Sequence, residues 1–299
     1  MTIIEEIKQS FRRGSVLTKL IYINIAVFLA VNIVYLIFFL FNITHAKTLQ
    51  GSFISWFAVP ADINILVKRP WTLISYMFLH ENLLHILFNM LWLFWFGKIF
   101  LQFLDEKKLL GLYIIGGLIG AAFFIAAFNL FPVFRNLSSV PIALGASAAV
   151  MAIVVAISFF APDYRVYLIF IGPVKLKYIA LVMIVLDLLS IASYNAGGHI
   201  AHLGGAFIGW IYAVQLKRNK DFLLKFNNFT YGLFNWKYKP MKKTKMKVTY
   251  KKPKSDLEFM ADKAKKQKEI DKILDKIAKS GYDSLTKQEK EFLFKESKK

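Results

Sequence analysis

Two side chains in this sequence could form a nucleophile and its base. Ser147 lies in Leu144-Gly145-Ala146-Ser147-Ala148, where a polar loop passes into an apolar stretch, and His202 follows Ala201 in a later apolar stretch. A hydroxyl beside an imidazole can attack a carbonyl, with the imidazole taking the proton and later returning it to the leaving group. Polar and ionisable groups inside long apolar runs are costly, which makes such positions functional candidates. A second constellation is His85 and Asn89, four residues apart and therefore on one helical face. Both can donate hydrogen bonds. An oxyanion in a dry site needs such preorganised donors, and losing one typically raises a barrier by ~3–4 kcal/mol. Each of these residues also has a plainer use: serine as a small packing residue, His85 and Asn89 as polar contacts between helices.

The local settings sharpen the chemical reading. Pro141 and the small residues around Gly145 suit a tight turn into a helix, leaving Ser147 in a first turn whose free N–H groups favour negative charge. Gly198, Ala201, Gly205 and Gly209 recur at three- and four-residue spacing, so they form a smooth face for close helix packing, with His202 at its flank. A dyad requires such a crossing, because the base must come within ~3 Å of the serine oxygen. His199, near the loop, is expected to hydrogen-bond at the membrane interface.

The elements that carry these residues are membrane helices. Of 299 residues, 57% are hydrophobic and only 19% charged, where a soluble chain has about a quarter charged. The apolar residues form six runs, about 19–41, 84–104, 109–131, 144–161, 176–193 and 198–216, each near or above the ~20 residues of a spanning helix. Lys8, Arg12, Arg13 and Lys19 precede the first run, and Lys107, Lys108, Arg165, Lys175, Lys177, Lys217 and Arg218 sit at alternate ends. That bias places both termini in the cytoplasm. The first run is too long for a signal-peptide core and lacks a small-residue cleavage site, so it is expected to be retained. Cysteine is absent, which excludes disulfides and thiol nucleophiles.

Taken together, these motifs resemble the rhomboid intramembrane serine proteases over roughly residues 15–216. The matching pieces are His80-x4-His85-x3-Asn89, Gly145-Ala146-Ser147, Ala201-His202-x2-Gly205-x3-Gly209, and Arg69-Pro70-Trp71-Thr72 leading into the second run. The resemblance implies an all-α bundle of six transmembrane helices in a bacterial inner membrane. It implies Ser147 as nucleophile and His202 as base, with no acidic third member. His85, Asn89 and the Ser147 N–H would form the oxyanion hole, and His80 would support that wall through hydrogen bonds. Two positions depart from the family pattern: Ala148 stands where Gly is common, and Met151 where many members stack a Tyr on the base. A thioether packs adaptably against imidazole, but it orients the base less firmly.

The implied reaction is peptide hydrolysis through an acyl-enzyme, without cofactor or metal. The first loop, 42–79, mixes Phe53, Ile54, Trp56, Phe57, Trp71 and Tyr76 with polar residues and should lie in the membrane interface. Substrates would be single spanning helices that unwind locally to expose a bond. The alternative is a catalytically silent rhomboid-like adaptor that binds transmembrane helices, although such relatives usually lack the serine or the histidine. A zinc protease is disfavoured, since His80 and His85 are five residues apart, about 140° around a helix. A transporter is disfavoured too, there being no paired broken helices or evident repeat.

The tail is the basic part of the chain. Residues 217–299 hold 25 of the 39 Lys and Arg residues but 11 of the 19 Asp and Glu. The expected organisation is a cytoplasmic segment 1–17, a membrane domain 18–216, a basic juxtamembrane linker 217–254 and a small helical domain 255–299. The stretch from Lys237 to Lys254 suits anionic lipid, at ~1 kcal/mol per cation near the surface, and carries no nucleic-acid motif. Ser255-x-x-Glu258 and Thr286-x-x-Glu289 have the capping-box pattern and should open two short helices, separated by a turn at Gly281. The resulting hairpin resembles a small domain found behind some bacterial rhomboid cores. It is too small for a large core of its own, which suits docking to a protein partner better than catalysis.

Overall fold

The computed structural model describes residues 2–41, 46–134, 141–168, 171–192, 195–235 and 256–296. It divides into two units, 1–239 and 240–299. In the first unit a short helix, α1 (Ile3–Arg13), is opened by a capping box in which Glu5 N donates to Thr2 Oγ1 at 3.3 Å and Thr2 N to Glu5 Oε2 at 2.9 Å. Ser15 then caps α2 (Val16–Leu40), accepting from Thr18 N at 3.2 Å. The first loop is folded: it contains α3 (Ala46–Phe57), a short strand β1 (Val59–Pro60), α4 (Ile63–Lys68), α5 (Thr72–Ser75) and a 3-10 turn at Tyr76–Phe78. Two long helices follow, α6 (Leu83–Phe103) capped by Asn82 and α7 (Glu106–Leu130) capped by Asp105. Strand β2 (Ile142–Ala143) precedes α8 (Ser147–Phe160). A hairpin of β3 (Arg165–Leu168) and β4 (Gly172–Lys175) leads to α9 (Leu176–Leu189), α10 (Ala196–Lys217) and α11 (Leu224–Phe234).

Each expected apolar run contains one helix, and α2, α6 and α7 are long and apolar enough to cross a membrane. The fourth run begins its helix later than expected, at Ser147. The cause is the backbone: Gly145 has φ +127° and donates its N–H to Tyr76 O at 2.9 Å, so residues 144–146 belong to a pinned loop. With 14 residues, α8 is about 21 Å long, short of the roughly 30 Å hydrocarbon layer. Neighbours that fill the layer would therefore leave at least one of its ends below the surface.

Helix α8 is the core of the bundle. Every residue from Ala148 to Ser158 is buried, and α6, α7, α9 and α10 all pack against it. Its sequence is apolar on all sides, as full enclosure requires. By contrast α2 exposes Leu29, Ile33, Leu36, Phe39 and Leu40, which suits lipid.

The Arg69-Pro70-Trp71-Thr72 motif has a structural task. A helix end leaves carbonyls without partners, and at the end of α3 three side chains supply them. Arg69 Nη1 donates to Ser55 O at 3.4 Å, Trp71 Nε1 to Trp56 O at 2.9 Å and Ser75 Oγ to Phe57 O at 2.7 Å. The Arg69 guanidinium also lies 4.1 Å from the centre of the Trp56 ring, which stacks on Trp71. Such ring and cation pairs belong at a membrane interface.

The stretch 217–254, expected to be a linker, is helical over α11, which packs against α7. Asn227 is 1% exposed, donates to Tyr212 Oη at 3.0 Å and sits against Gly111, where any Cβ would overlap its side chain. Its amide joins α7, α10 and α11, so residues 217–235 belong to the first unit. The basic stretch 237–254 and the cap expected at Ser255 lie outside the described residues.

In the second unit α12 (Asp256–Ser280) and α13 (Lys287–Glu296) flank a 3-10 turn at Tyr282–Ser284. Gly281 has φ +76° and returns its N–H to Ile277 O at 2.9 Å, ending α12. The second capping box forms, with Thr286 N donating to Glu289 Oε2 at 2.7 Å and Glu289 N to Thr286 Oγ1 at 3.4 Å. In α12 Ile273 is buried and Leu274 exposed, and Leu285 beyond the turn is buried as well. The Thr286 N–H first, and then Lys276 at 3.0 Å, hold the Glu289 carboxyl below its usual range. A depressed carboxyl stabilises the fold above its unfolded pKa, and that contribution disappears as pH falls through the folded value. Thr286→Ala should raise amide exchange across 287–296 in the full chain by about 2- to 30-fold, the worth of an N-cap, with no change in exchange along α8.

Candidate active site

Ser147 is the first residue of α8. The cap position is Ala146, whose side chain has no oxygen to offer, so the first-turn N–H groups are left without a side-chain partner and point toward incoming negative charge. The loop before it is fixed from two sides. Strand β2 pairs antiparallel with β1 through Val59↔Ala143 and Pro60↔Ile142, and Gly145 N is held by Tyr76 O. Tyr76 is itself buried, its hydroxyl donating to Gly117 O at 2.6 Å.

At Gly145 the first turn of α6 and Ser147 come together. A Cβ at Gly145 would lie 2.9 Å from His85 Nε2 and 3.5 Å from Ser147 Oγ. The imidazole edge and the hydroxyl therefore border one small space, and only glycine leaves it open. His85 is half-buried, in the first turn of α6. Asn89 is 7% exposed one turn further on, its Nδ2 donating to His85 O at 2.8 Å. That bond occupies one of its two N–H groups.

His80 lies in the loop ahead of α6, against His85. Its ring meets His85 edge-on, with centroids 5.1 Å apart at 71°. Its buried ring nitrogens make no well-formed hydrogen bond among the described residues. Burial first, and then the neighbouring imidazole, push His80 down to about 4. The contact with His85 that the structure shows is between the two rings.

The small-residue face of α10 meets α8 directly. A Cβ at Gly205 would overlap the carbonyl oxygen of Ala148, and one at Gly209 that of Ala152. Gly120 of α7 lies under the same crossing, where a Cβ would fall 2.5 Å from Ala148 Cβ and 2.9 Å from Ala201 O. The immediate neighbours of Ser147 and of His202 thus converge on one point. Gly198 does not share this face; it lies against Asn195, the cap of its own helix. Ser147 and His202 make no hydrogen bond to each other among the described residues.

One residue of this site went unread in the sequence. Asp187 of α9, the only carboxylate in the run 176–193, places Oδ1 2.9 Å from His202 Nδ1 and 2.8 Å from His199 Nδ1. Its side chain is 9% exposed. His199 thus pairs with a buried acid and not with the interface. The signal available was the carboxylate itself, since an acid in an apolar run needs a partner. Asp187, His199 and His202 are also the described residues with the donor set for a metal ion. Their separations are those of hydrogen bonds, however, whereas donors about 2.0 Å from a tetrahedral ion lie some 3.3 Å apart.

The chain belongs to the rhomboid family and is an integral membrane protein: the rhomboid domain matches residues 67–219. Residues 255–299 match a second family, DUF6576, of unknown function. RHOMBOID-like protein 12, mitochondrial, of Arabidopsis thaliana is 31% identical over 167 residues, 52% of this chain and 49% of the relative. Rhomboid protease GlpG of Yersinia enterocolitica is 39% identical over 69 residues, 23% of this chain and 24% of that protein. The chain spans about half the length of the first and about a quarter of the second.

Asn89→Ala tests the donor wall. Because the Asn89 amide bonds within its own helix, its loss should leave folding largely intact. If its second N–H serves the transition state, kcat should fall by on the order of 10- to 1,000-fold. Parallel losses of melting temperature and activity would instead mark the residue as a contact between helices.

Proposed function

We propose that this chain is an intramembrane serine endopeptidase that cleaves transmembrane-helix substrates through Ser147 and His202. The observation that carries the reading is the crossing of α8 and α10, which brings an uncapped helix start bearing Ser147 to the helix bearing His202, with His85 and Asn89 on a third wall. His202 accepts the Ser147 proton as Oγ attacks the peptide carbonyl. The oxyanion is met by the Ser147 N–H, His85 and Asn89, and the proton then passes to the leaving amine. Water resolves the acyl-enzyme by the same route in reverse. The relative named a rhomboid protease supports this chemistry over the silent-adaptor alternative.

In this reading the six apolar helices form one membrane bundle, the short α8 starting below the surface, with both termini cytoplasmic, in a bacterial inner membrane. The substrate helix approaches from the lipid and unwinds near the first turn of α8. The basic stretch 237–254 rests on anionic lipid, and the hairpin of α12 and α13 is available to a protein partner. The test is a fluorophosphonate probe applied to the detergent-solubilised full chain beside a generic spanning-helix substrate. Labelling at Ser147 together with cleavage is expected. Cleavage that proceeds without labelling and stops with a zinc chelator would overturn the reading.

A further inference from the structure

Asp187 is a buried acid whose described partners are two imidazole nitrogens. An ionised carboxylate can only accept hydrogen bonds, and a carboxylate buried without donors is strongly disfavoured. Among the described residues no lysine or arginine pairs with Asp187. Both Nδ1 atoms must therefore carry the protons that satisfy its Oδ1, which leaves the Nε2 of a neutral His202 as a free lone pair. A base that is to take a proton from Ser147 has to present that atom. The choice of tautomer thus follows from the carboxylate.

The surrounding packing fixes the carboxylate in turn. Ala180, Met183 and Ile184 lie one and two turns before Asp187 on α9, and they pack with Met151 and Val155 of α8 and Ala206 of α10. This face of α9 is wedged against the two helices that carry Ser147 and His202. Met151 adds apolar contact there, but a thioether is at best a weak acceptor. His199 and His202 stand nearly perpendicular, with centroids 5.9 Å apart at 82°. Their two bonds to one oxygen constrain the rotamer of Asp187 from two directions.

Building on the assignment of Ser147 and His202 as the reacting pair, we propose that Asp187 is a positioning residue that holds His202 by its Nδ1–H, fixing ring plane and tautomer, with His199 as second anchor of the same carboxylate. The proton balance is simple. The Ser147 proton moves to His202 Nε2, the Nδ1 proton stays where it is, and Asp187 remains ionised beside the imidazolium it stabilises. The chain then works as a serine–histidine–aspartate arrangement, although its acid is contributed by a separate helix.

The test uses the full chain in liposomes with a spanning-helix substrate. Asp187→Asn would present a donor to Nδ1 and favour the wrong tautomer. It should lower kcat by about 100- to 10,000-fold, leave KM within about threefold, and slow fluorophosphonate labelling of Ser147 in step. Asp187→Glu, which keeps the charge, should recover part of the loss. A folded Asp187→Asn chain with wild-type kcat would overturn the proposal. A measurement independent of any variant's folding is the 15N spectrum of His202 in the wild-type chain. A proton on Nδ1 of the neutral ring is expected, and a proton on Nε2 would overturn the proposal. Stoichiometric binding of Zn2+ alone, lost in Asp187→Asn and coupled to chelator-sensitive cleavage, would make the cluster a metal centre and overturn it as well. Failure of the underlying assignment looks different, because cleavage would then survive Ser147→Ala whatever the state of His202.

Discussion

Alanine at Ser147 or at His202 should abolish cleavage of a spanning-helix substrate, and the double variant should be no worse than either single one. In the proposed mechanism the two act as one unit: without the hydroxyl there is no acyl-enzyme, and without the imidazole the hydroxyl is not activated. Removing one member of such a unit forfeits about as much as removing both, typically on the order of 10⁴- to 10⁶-fold in kcat. Neither change should unfold the chain. Ser147 is only half-buried, at the start of α8, and His202 flanks the packed face of α10 without filling it. Substrate binding should persist in both variants, which a crosslinking substrate can measure. Cleavage at the wild-type rate by Ser147→Ala would refute the dyad, while independent, multiplicative losses in the single variants would show that the two residues do not act together.

The second large effect is expected at Gly205, which touches no reacting group. Its Cα faces the Ala148 carbonyl so closely that a methyl group would overlap the oxygen. The obstacle is backbone, which cannot swing aside as a side chain can, so α8 and α10 must separate. Overpacking a tight core usually costs about 1–3 kcal/mol, and a clash against rigid backbone belongs at or above the top of that range. Gly205→Ala should accordingly lower the melting temperature of the membrane unit and remove most activity by widening the gap between nucleophile and base. Gly232 offers the control: it lies in α11 with no atom near its would-be Cβ. Gly232→Ala should be neutral or stabilising by up to about 1 kcal/mol, the difference in helix propensity. Equal, small effects at the two glycines would contradict the packing described for the crossing.

The parts of the candidate site that local spacing suggests are those whose geometry is local. His85 and Asn89 were legible because four residues make one helical turn, and the packing face of Gly205 and Gly209 because small residues repeat at the same interval. Ser147 was visible as a polar residue at a loop-to-helix boundary. Asp187 was not. Its partners lie 12 and 15 residues away on another helix, and only the fold of α9 against α10 closes that distance. Asn227 falls within the stretch expected as a basic juxtamembrane linker, and its bond to Tyr212 on another helix is likewise one that no local spacing announces. His80 shows the limit of residue type as evidence. A histidine near a site suggests hydrogen bonding, and the contact the structure gives it with His85 is one of ring against ring.

The two-rung ladder between β1 and β2 gives the chain a mechanical linkage as well as a shape. The interfacial loop, stiffened by Arg69, Trp71 and Ser75 closing the end of α3, is joined through Val59 and Pro60 to the residues just ahead of Ser147. The bond from Gly145 to Tyr76 adds a second strut from the same loop. The loop 46–78 and the residues just ahead of Ser147 are therefore tied at three points, so a shift of one is expected to move the other.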